Sequence, residues 1–177
     1  MQPGPIYFKT PRKCGIFGVM CEGVGRQVNY LIDEAHTVGK GANSTISYVY
    51  HYLETHGLGE TDAYLQADNC TGQNKNNYFL WYFAWRIINK LHHTINYSFL
   101  IAGHTKFGPD RCFGLIKRAF KVNFISSIYE FARMVDCSST TGVNKAQLVG
   151  THDGREIVPV YDWVTFLFTV FYKAPEH

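Results

Sequence analysis

Two aspartates stand where chemistry is usually placed. In Ala63 to Asn77, AYLQADNCTGQNKNN, an extended apolar run delivers Asp68 to the start of a glycine-containing polar turn that opens into a helix. A carboxylate is then set at the carboxyl end of a strand, where open α/β sheets bind their ligands. Asp110, inside GHTKFGPDRCFG, follows the next extended run, Tyr97 to Ala102. Acids at the ends of neighbouring strands can share divalent metal, and ions ~4 Å apart stabilise both the attacking and the leaving oxygen of an in-line phosphoryl displacement. An all-oxygen site suits Mg²⁺ or Mn²⁺, with Asp68 and Asp110 as the metal ligands. His104 follows Gly103 at the end of the same run and is the third catalytic candidate, since an imidazole there can donate to a phosphate or position a water.

Each of these residues also has a purely structural use. Asp68 can accept from the backbone N–H groups of its own turn. Asp110 falls in the first turn of a helix, where the dipole favours any carboxylate. His104 can bond a backbone carbonyl. Asp33 and Glu34 also end a strand and are expected to be peripheral, while Glu130 and Asp136 lie within loop reach as further acids.

Polar and basic residues surround both acids. Asn69, Gln73, Asn74 and Lys75 crowd the first turn with donors for phosphate or base edges, and Lys106 precedes the second. Arg111, Lys117, Arg118 and Lys121 fall within eleven positions. On a helix opened by Pro109, the residues Asp110, Gly114, Lys117 and Lys121 share one face, and Cys112, Phe113, Ile116 and Phe120 share another. The second stripe is core. The first joins an acid, a bare backbone and two cations, which suits a phosphate backbone; a solvated helix face accounts for the charges equally.

These residues are positioned by a readable series of elements. Ile16 to Met20 and Val28 to Ile32 read as antiparallel strands joined by a glycine-containing turn. Asn43 or Ser44 can cap a helix to about His56, stopped by Gly57 and Gly59. After the strand Ala63 to Ala67 comes a helix from about Tyr78 to Leu91, so apolar that it should be covered on most sides. Ser127 opens a capping box for a helix to about Val135. Gln147 to Val149 and Ile157 to Val160 flank a His152-Asp153-Gly154 hairpin signal, with Pro159 demoting the second arm to an edge, and Asp162 can cap a last core helix. Residues 1–136 read as one core and 137–177 as a hairpin and helix packed on it.

At 177 residues the chain can bury roughly 70% of its unfolded surface in one domain. Its 46% hydrophobic and 16% aromatic content excludes disorder over the body of the chain. A net charge of +3 carries little weight against the local clustering of cations. Five cysteines with no CxxC indicate neither a disulfide framework nor a zinc ribbon, and a reducing compartment. Glycosylation-type triplets at Asn43, Asn69 and Asn96 follow no leader and are read as chance. The run Trp163 to Tyr172 is half the length of a membrane span. Met1 leads directly through Pro3, Gly4 and Pro5 into a strand-like Ile6-Tyr7-Phe8, as in the later part of something longer.

The blocks YLIDEA, GKGAN, ADNCTGQNKNN, GHTKFGPDRCFGLIKR, AQLVG and YDW resemble, almost end to end, an uncharacterised eukaryotic transposon-associated domain family, domain of unknown function 7869. The order of that family is similar to the ribonuclease-H-like core of cut-and-paste transposases. The resemblance implies an α/β, three-layer fold with a mixed sheet flanked by helices, in which Asp68 matches the second acid and Asp110 best matches the third. It places the first acid on a first strand upstream of the segment matching Gln2 to Phe8, so that strand is expected to be missing here. The resemblance therefore implies metal-dependent cleavage or strand transfer on DNA in an intact, nuclear parent, and inactivity for this chain. The alternative it leaves is a catalytically dead domain that binds nucleic acid or another protein.

Overall fold

The computed structural model describes residues 12–36, 41–70, 72–100 and 108–172. The chain is mixed α/β. Strands β1 (Cys14–Cys21) and β2 (Arg26–Asp33) form an antiparallel hairpin in the register Ile16 to Leu31 and Cys21 to Arg26. Gly25 closes the turn at φ +67°, in the left-handed region that favours glycine, with its N–H donating to the Cys21 carbonyl at 2.9 Å. On its other side β2 pairs in parallel with β5 (Asn144–Leu148), giving the sheet order β1-β2-β5.

β2 is the central strand and is buried on both faces. Its period of two sends Val28, Tyr30 and Ile32 one way and Gln27, Asn29, Leu31 and Asp33 the other. Tyr30 stacks on Tyr48 of α1 (Ala42–Thr55) at 5.2 Å between centroids, in a cluster with Val28, Val149 and Val158. Leu31 packs with Ile116 of α3 (Gly108–Val122) and with Phe131, Met134 and Val135 of α4 (Ile128–Asp136). Helices thus cover both faces of this sheet.

A second, two-stranded sheet is the parallel pair β3 (Asp62–Ala67) and β4 (Thr94–Phe99), joined through α2 (Asn77–Ile88). Phe79, Tyr82 and Phe83 of α2 pack with Ile46 of α1, with Trp163 and Leu167 of α5 (Trp163–Phe171), and with Leu65, Ile95 and Tyr97 of the strands. α1 therefore belongs to two cores at once, through Tyr48 on one side and Ile46 on the other.

Elements form where apolar periodicity predicts them, with informative departures. α1 is capped by Gly41 without a side-chain bond, and neither Asn43 nor Ser44 caps it. Asn43 instead serves α5: its amide donates to Asp162 Oδ1 at 3.0 Å and accepts from the Val164 N–H at 2.8 Å. Ser47 Oγ accepts from the Trp163 indole at 3.1 Å and from the Tyr161 N–H at 3.0 Å. The reversal at Gly154 (φ +90°) forms, but its second arm gives only the bridge Gly150 to Glu156, because Pro159 lacks the N–H a ladder needs. Its first arm is β5, a member of the main sheet. The apolar helix α2 is less covered than expected, with Leu80, Ile87 and Ile88 exposed, and α5 likewise exposes Phe166, Phe168 and Val170. Ile6-Tyr7-Phe8 lies outside the described residues. Among the described residues no helix is long and apolar enough to cross a membrane.

One of the charges buried in these layers belongs to α2. Arg86 of α2 is buried, pairs with Glu54 at 2.9 Å, donates to Tyr82 Oη at 3.1 Å, and donates from Nε to His92 Nδ1 at 3.2 Å. His92 must be neutral to accept. Burial, reinforced by the guanidinium, holds its pKa below the ordinary value of 6.5. The unfolded chain then binds the proton more readily, so this stability is complete above pH 6.5 and declines as pH falls towards the folded pKa. His51 and His56 are lowered by burial and act in the same direction. Thermal unfolding should show a melting temperature that drops between pH 7 and pH 5, and His92→Gln, which keeps an acceptor for Arg86, should shrink that drop. An unchanged pH slope in His92→Gln would remove this assignment.

Candidate functional site

The polar turn after β3 is built around two acceptors. Asp68 is exposed, and its Oδ1 accepts from the Cys70 N–H at 3.1 Å and from Asn74 Nδ2 at 2.7 Å. The Cys70 carbonyl accepts from the N–H groups of Gln73, Asn74 and Lys75 at 3.2, 2.8 and 3.0 Å. Asn76 then caps α2 by accepting from the Phe79 N–H at 3.1 Å. Thus the turn-forming use of Asp68 is realised. Its Oδ2 takes no hydrogen bond among the described residues and remains open to a ligand.

The neighbouring side chains tie this turn to β4. Asn69 donates to the Leu100 carbonyl and accepts from Lys75 Nζ at 3.2 Å, while the Lys75 ammonium lies 5.3 Å over the Phe99 ring. Tyr97 Oη donates to the Asn74 carbonyl at 2.9 Å. Its phenol is pushed up by burial and by the negative charge of Asp68. Of the expected nucleic-acid contacts here, Asn69 and Lys75 are partly committed to the loop, and Gln73 is half-buried.

Asp110 is exposed in the first turn of α3 and makes no hydrogen bond or ion pair among the described residues. Cys112 and Ile116 are buried against the main sheet. Arg111, Lys117, Arg118 and Lys121 all point to solvent with no acid partner among the described residues. Gly114 lies between them, and a Cβ built there would meet nothing within 4 Å. His104 and Lys106 lie outside the described residues.

Asp110 takes its place from the start of α3. α3 begins at the carboxyl end of β1, where a Cβ on Gly108 would lie 3.0 Å from Met20 Sδ and 3.6 Å from Glu22 Oε1. One metal centre needs ligands within a few ångströms of each other. Among the described residues no group of three or more His, Cys, Asp or Glu could hold a metal ion.

A further acid, Asp33, stands at the end of β2. It is buried and accepts from Arg12 Nε at 3.1 Å, Arg12 Nη2 at 2.8 Å and the Ala35 N–H at 3.0 Å. Burial opposes its ionisation, but the guanidinium and the N–H outweigh that and hold the carboxyl below its ordinary value. Glu130 is committed to Ser126, accepting from its N–H and hydroxyl at 2.8 and 2.7 Å, and Asp136 accepts from the Ala146 N–H at 2.8 Å. Both are structural.

With this geometry in hand, comparison with known proteins places the chain. Residues 9–171 match a family described as a domain of unknown function, DUF7869. The chain belongs to that family. No curated protein and no solved structure matches it. The chemistry of this DUF7869 domain therefore has to be argued from its own side chains.

Two features of that surface lack a sequence signature. The Arg12–Asp33 pair joins residues 21 apart in the chain across the hairpin, and an apolar cleft between β1, α3 and α4 exists only once the layers are assembled. The loop function of Asp68 gives a direct test. Asp68→Ala should lower stability to urea by about 1 kcal/mol through loss of two hydrogen bonds, whereas Asp68→Asn, which keeps the accepting Oδ1, should stay within about 0.5 kcal/mol of the parent. Equal stability of all three proteins would show that the carboxylate does not organise the turn.

Proposed function

We propose that this DUF7869 domain has a ribonuclease-H-like, transposon-derived core and engages DNA through the outer face of α3 without cutting it. The observation that carries the reading is the face itself. Four cations, Arg111, Lys117, Arg118 and Lys121, stand exposed and, among the described residues, unpaired beside the open backbone of Gly114, opposite a buried apolar stripe. Phosphate contacts of this kind supply affinity through counterion release. The order of a hairpin, a helix and a parallel β-α-β unit, with helices on both faces of β2, supports the core assignment. In this reading the protein works in the nucleus, where its DNA is.

A second reading is metal-dependent phosphodiester cleavage or strand transfer in a longer parent protein, with Mg²⁺ or Mn²⁺. Asp68 favours it, since its free Oδ2 lies at the carboxyl end of a parallel strand pair, where a metal could be bound. Asp68 would hold the ion and a partner acid would come from upstream; an ion there would stabilise charge on the reacting phosphate oxygens. Asp110, on the helix that carries the four cations, supports the first reading better than this one.

For the binding reading, titration of duplex DNA should give log K falling with log salt, with a slope of about −0.9 per phosphate contact. Lys117→Gln with Lys121→Gln should flatten that slope by about two units. Gly114→Ala should stabilise the fold by about 0.5–1 kcal/mol while weakening DNA binding, because the helix gains propensity and the phosphate loses its approach. Binding that ignores salt, or is absent, ends the proposal.

The cleavage reading requires a version extended upstream to nick supercoiled DNA with either metal, and Asp68→Asn to abolish the nicking. An extended protein that is inert with both ions would dispose of it.

A further inference from the structure

A cavity of about 870 Å³ opens between the first half of β1 and the helices α3 and α4. That volume lies within the range of small-molecule sites. Its walls are apolar: Ile16 of β1, Phe113, Ile116 and Phe120 of α3, Ile125 of the connecting loop, and Phe131 of α4. Several of these belong to the core cluster around Leu31, so the cleft is a place where the main core is left open.

The mouth of the cleft is cationic. Arg12, Lys13 and Lys117 line it, and the Arg12 guanidinium is neutralised by Asp33. The ammonium groups of Lys13 and Lys117 have no acid partner among the described residues. The nearby acids are occupied: Glu34 accepts from the Lys13 N–H at 3.1 Å, and Glu130 is held by Ser126. His152, also at the rim, bonds Tyr129 Oη at 3.1 Å. An occupant that matches this arrangement has an apolar body to cover the Ile and Phe walls and one anionic group to meet the two lysines. Desolvated apolar area would supply the affinity and the charge would fix the orientation.

We propose that this cleft is a binding site for an amphipathic carboxylate, a single apolar chain ending in one carboxyl group. The site is independent of the DNA-binding face in its walls and shares with it only Lys117.

Isothermal titration of the full chain with dodecanoate, kept below its micellar concentration, tests this. Dodecanoate should bind with one-to-one stoichiometry, and dodecanol and dodecyltrimethylammonium at least tenfold more weakly. Lys13→Gln with Lys117→Gln should weaken dodecanoate at least tenfold and leave dodecanol unchanged. Ile125→Trp, which narrows the cleft from its rim, should weaken both. Arg111→Gln with Arg118→Gln, which weakens the DNA face, should leave dodecanoate binding as it was, so failure of the DNA reading and failure of this one are separable. Three outcomes overturn the proposal: no binding of dodecanoate, equal binding of all three amphiphiles, or sedimentation as a dimer that excludes dodecanoate, which would make a second copy the occupant.

Discussion

The burial of β2 on both faces sets the rest of the arrangement. A strand with no solvent side must satisfy a layer of helices above and another below, and its alternation assigns the residues to each. Tyr30 and Val28 specify the α1 side, and Leu31 the α3–α4 side. The polar residues on the second face are paired among themselves: Gln27 Nε2 donates to Asn29 Oδ1 at 2.7 Å, and Asn29 Nδ2 donates to Asn144 Oδ1 at 3.2 Å. Asn144 in turn donates to the Cys112 carbonyl at 3.2 Å and to Ser138 Oγ at 2.9 Å. This ladder fixes β5 against β2 in parallel and locks α3 over both. Gln27 Oε1 has no hydrogen-bond partner among the described residues, so the ladder is not fully compensated within them.

The same logic makes α1 the hinge between the two sheets. Each residue of a helix turns the chain by about 100°, so Ile46 and Tyr48, two positions apart, project roughly 200° from each other and face different cores from the same turn. Its polar first turn is then free for tertiary work. Asn43 and Ser47 supply the donors and acceptors that the start of α5 and the Trp163 indole need, which orients an aromatic cluster of Tyr50, Tyr82, Trp85 and Trp163. At the far end of the helix, Glu54 meets the buried Arg86, so both ends of α1 are pinned by polar contacts to elements of the second core.

Local signals were legible where physics is local. The capping residues Ser127 and Asp162, the stop at Gly57, and the strands β1, β2 and β3 are read directly from the chain, whereas β4 and β5 begin at Thr94 and Asn144, each three residues before the run read for it. At Gly57 a Cβ would sit 2.3 Å from the Leu53 carbonyl oxygen, so the helix end there needs glycine. Pairing was not legible. Nothing in Asn144–Leu148 announces a parallel neighbour 117 residues earlier, and the hairpin signal after it competed successfully for attention because its turn does form. Asn43 looked like a cap because capping and tertiary hydrogen bonding use the same side-chain chemistry. Arg86, the one charge in an otherwise apolar helix, was a visible mark of a buried network, yet its partners Glu54 and His92 could be named only after α1 and α2 met.

Asp68 and Asp110 each follow an extended run, but the elements that carry them differ. α3 starts beside Met20 and Glu22 and climbs along β1 towards Cys14. The consequence is a division of charge. The carboxyl ends of β2 and β3 hold acids wrapped in donors, Asp33 by Arg12 and Asp68 by its turn, while the outer face of α3 holds cations with no acid partner among the described residues. Uncompensated like charges on one helix face repel one another at short range and weaken the folded state slightly. That cost is recovered when a polyanion lies across them, because releasing its condensed counterions is favourable and the cations are already in place. A surface arranged in this way gains more from binding a phosphate backbone than from remaining solvated, and the open backbone at Gly114 leaves room for it to approach.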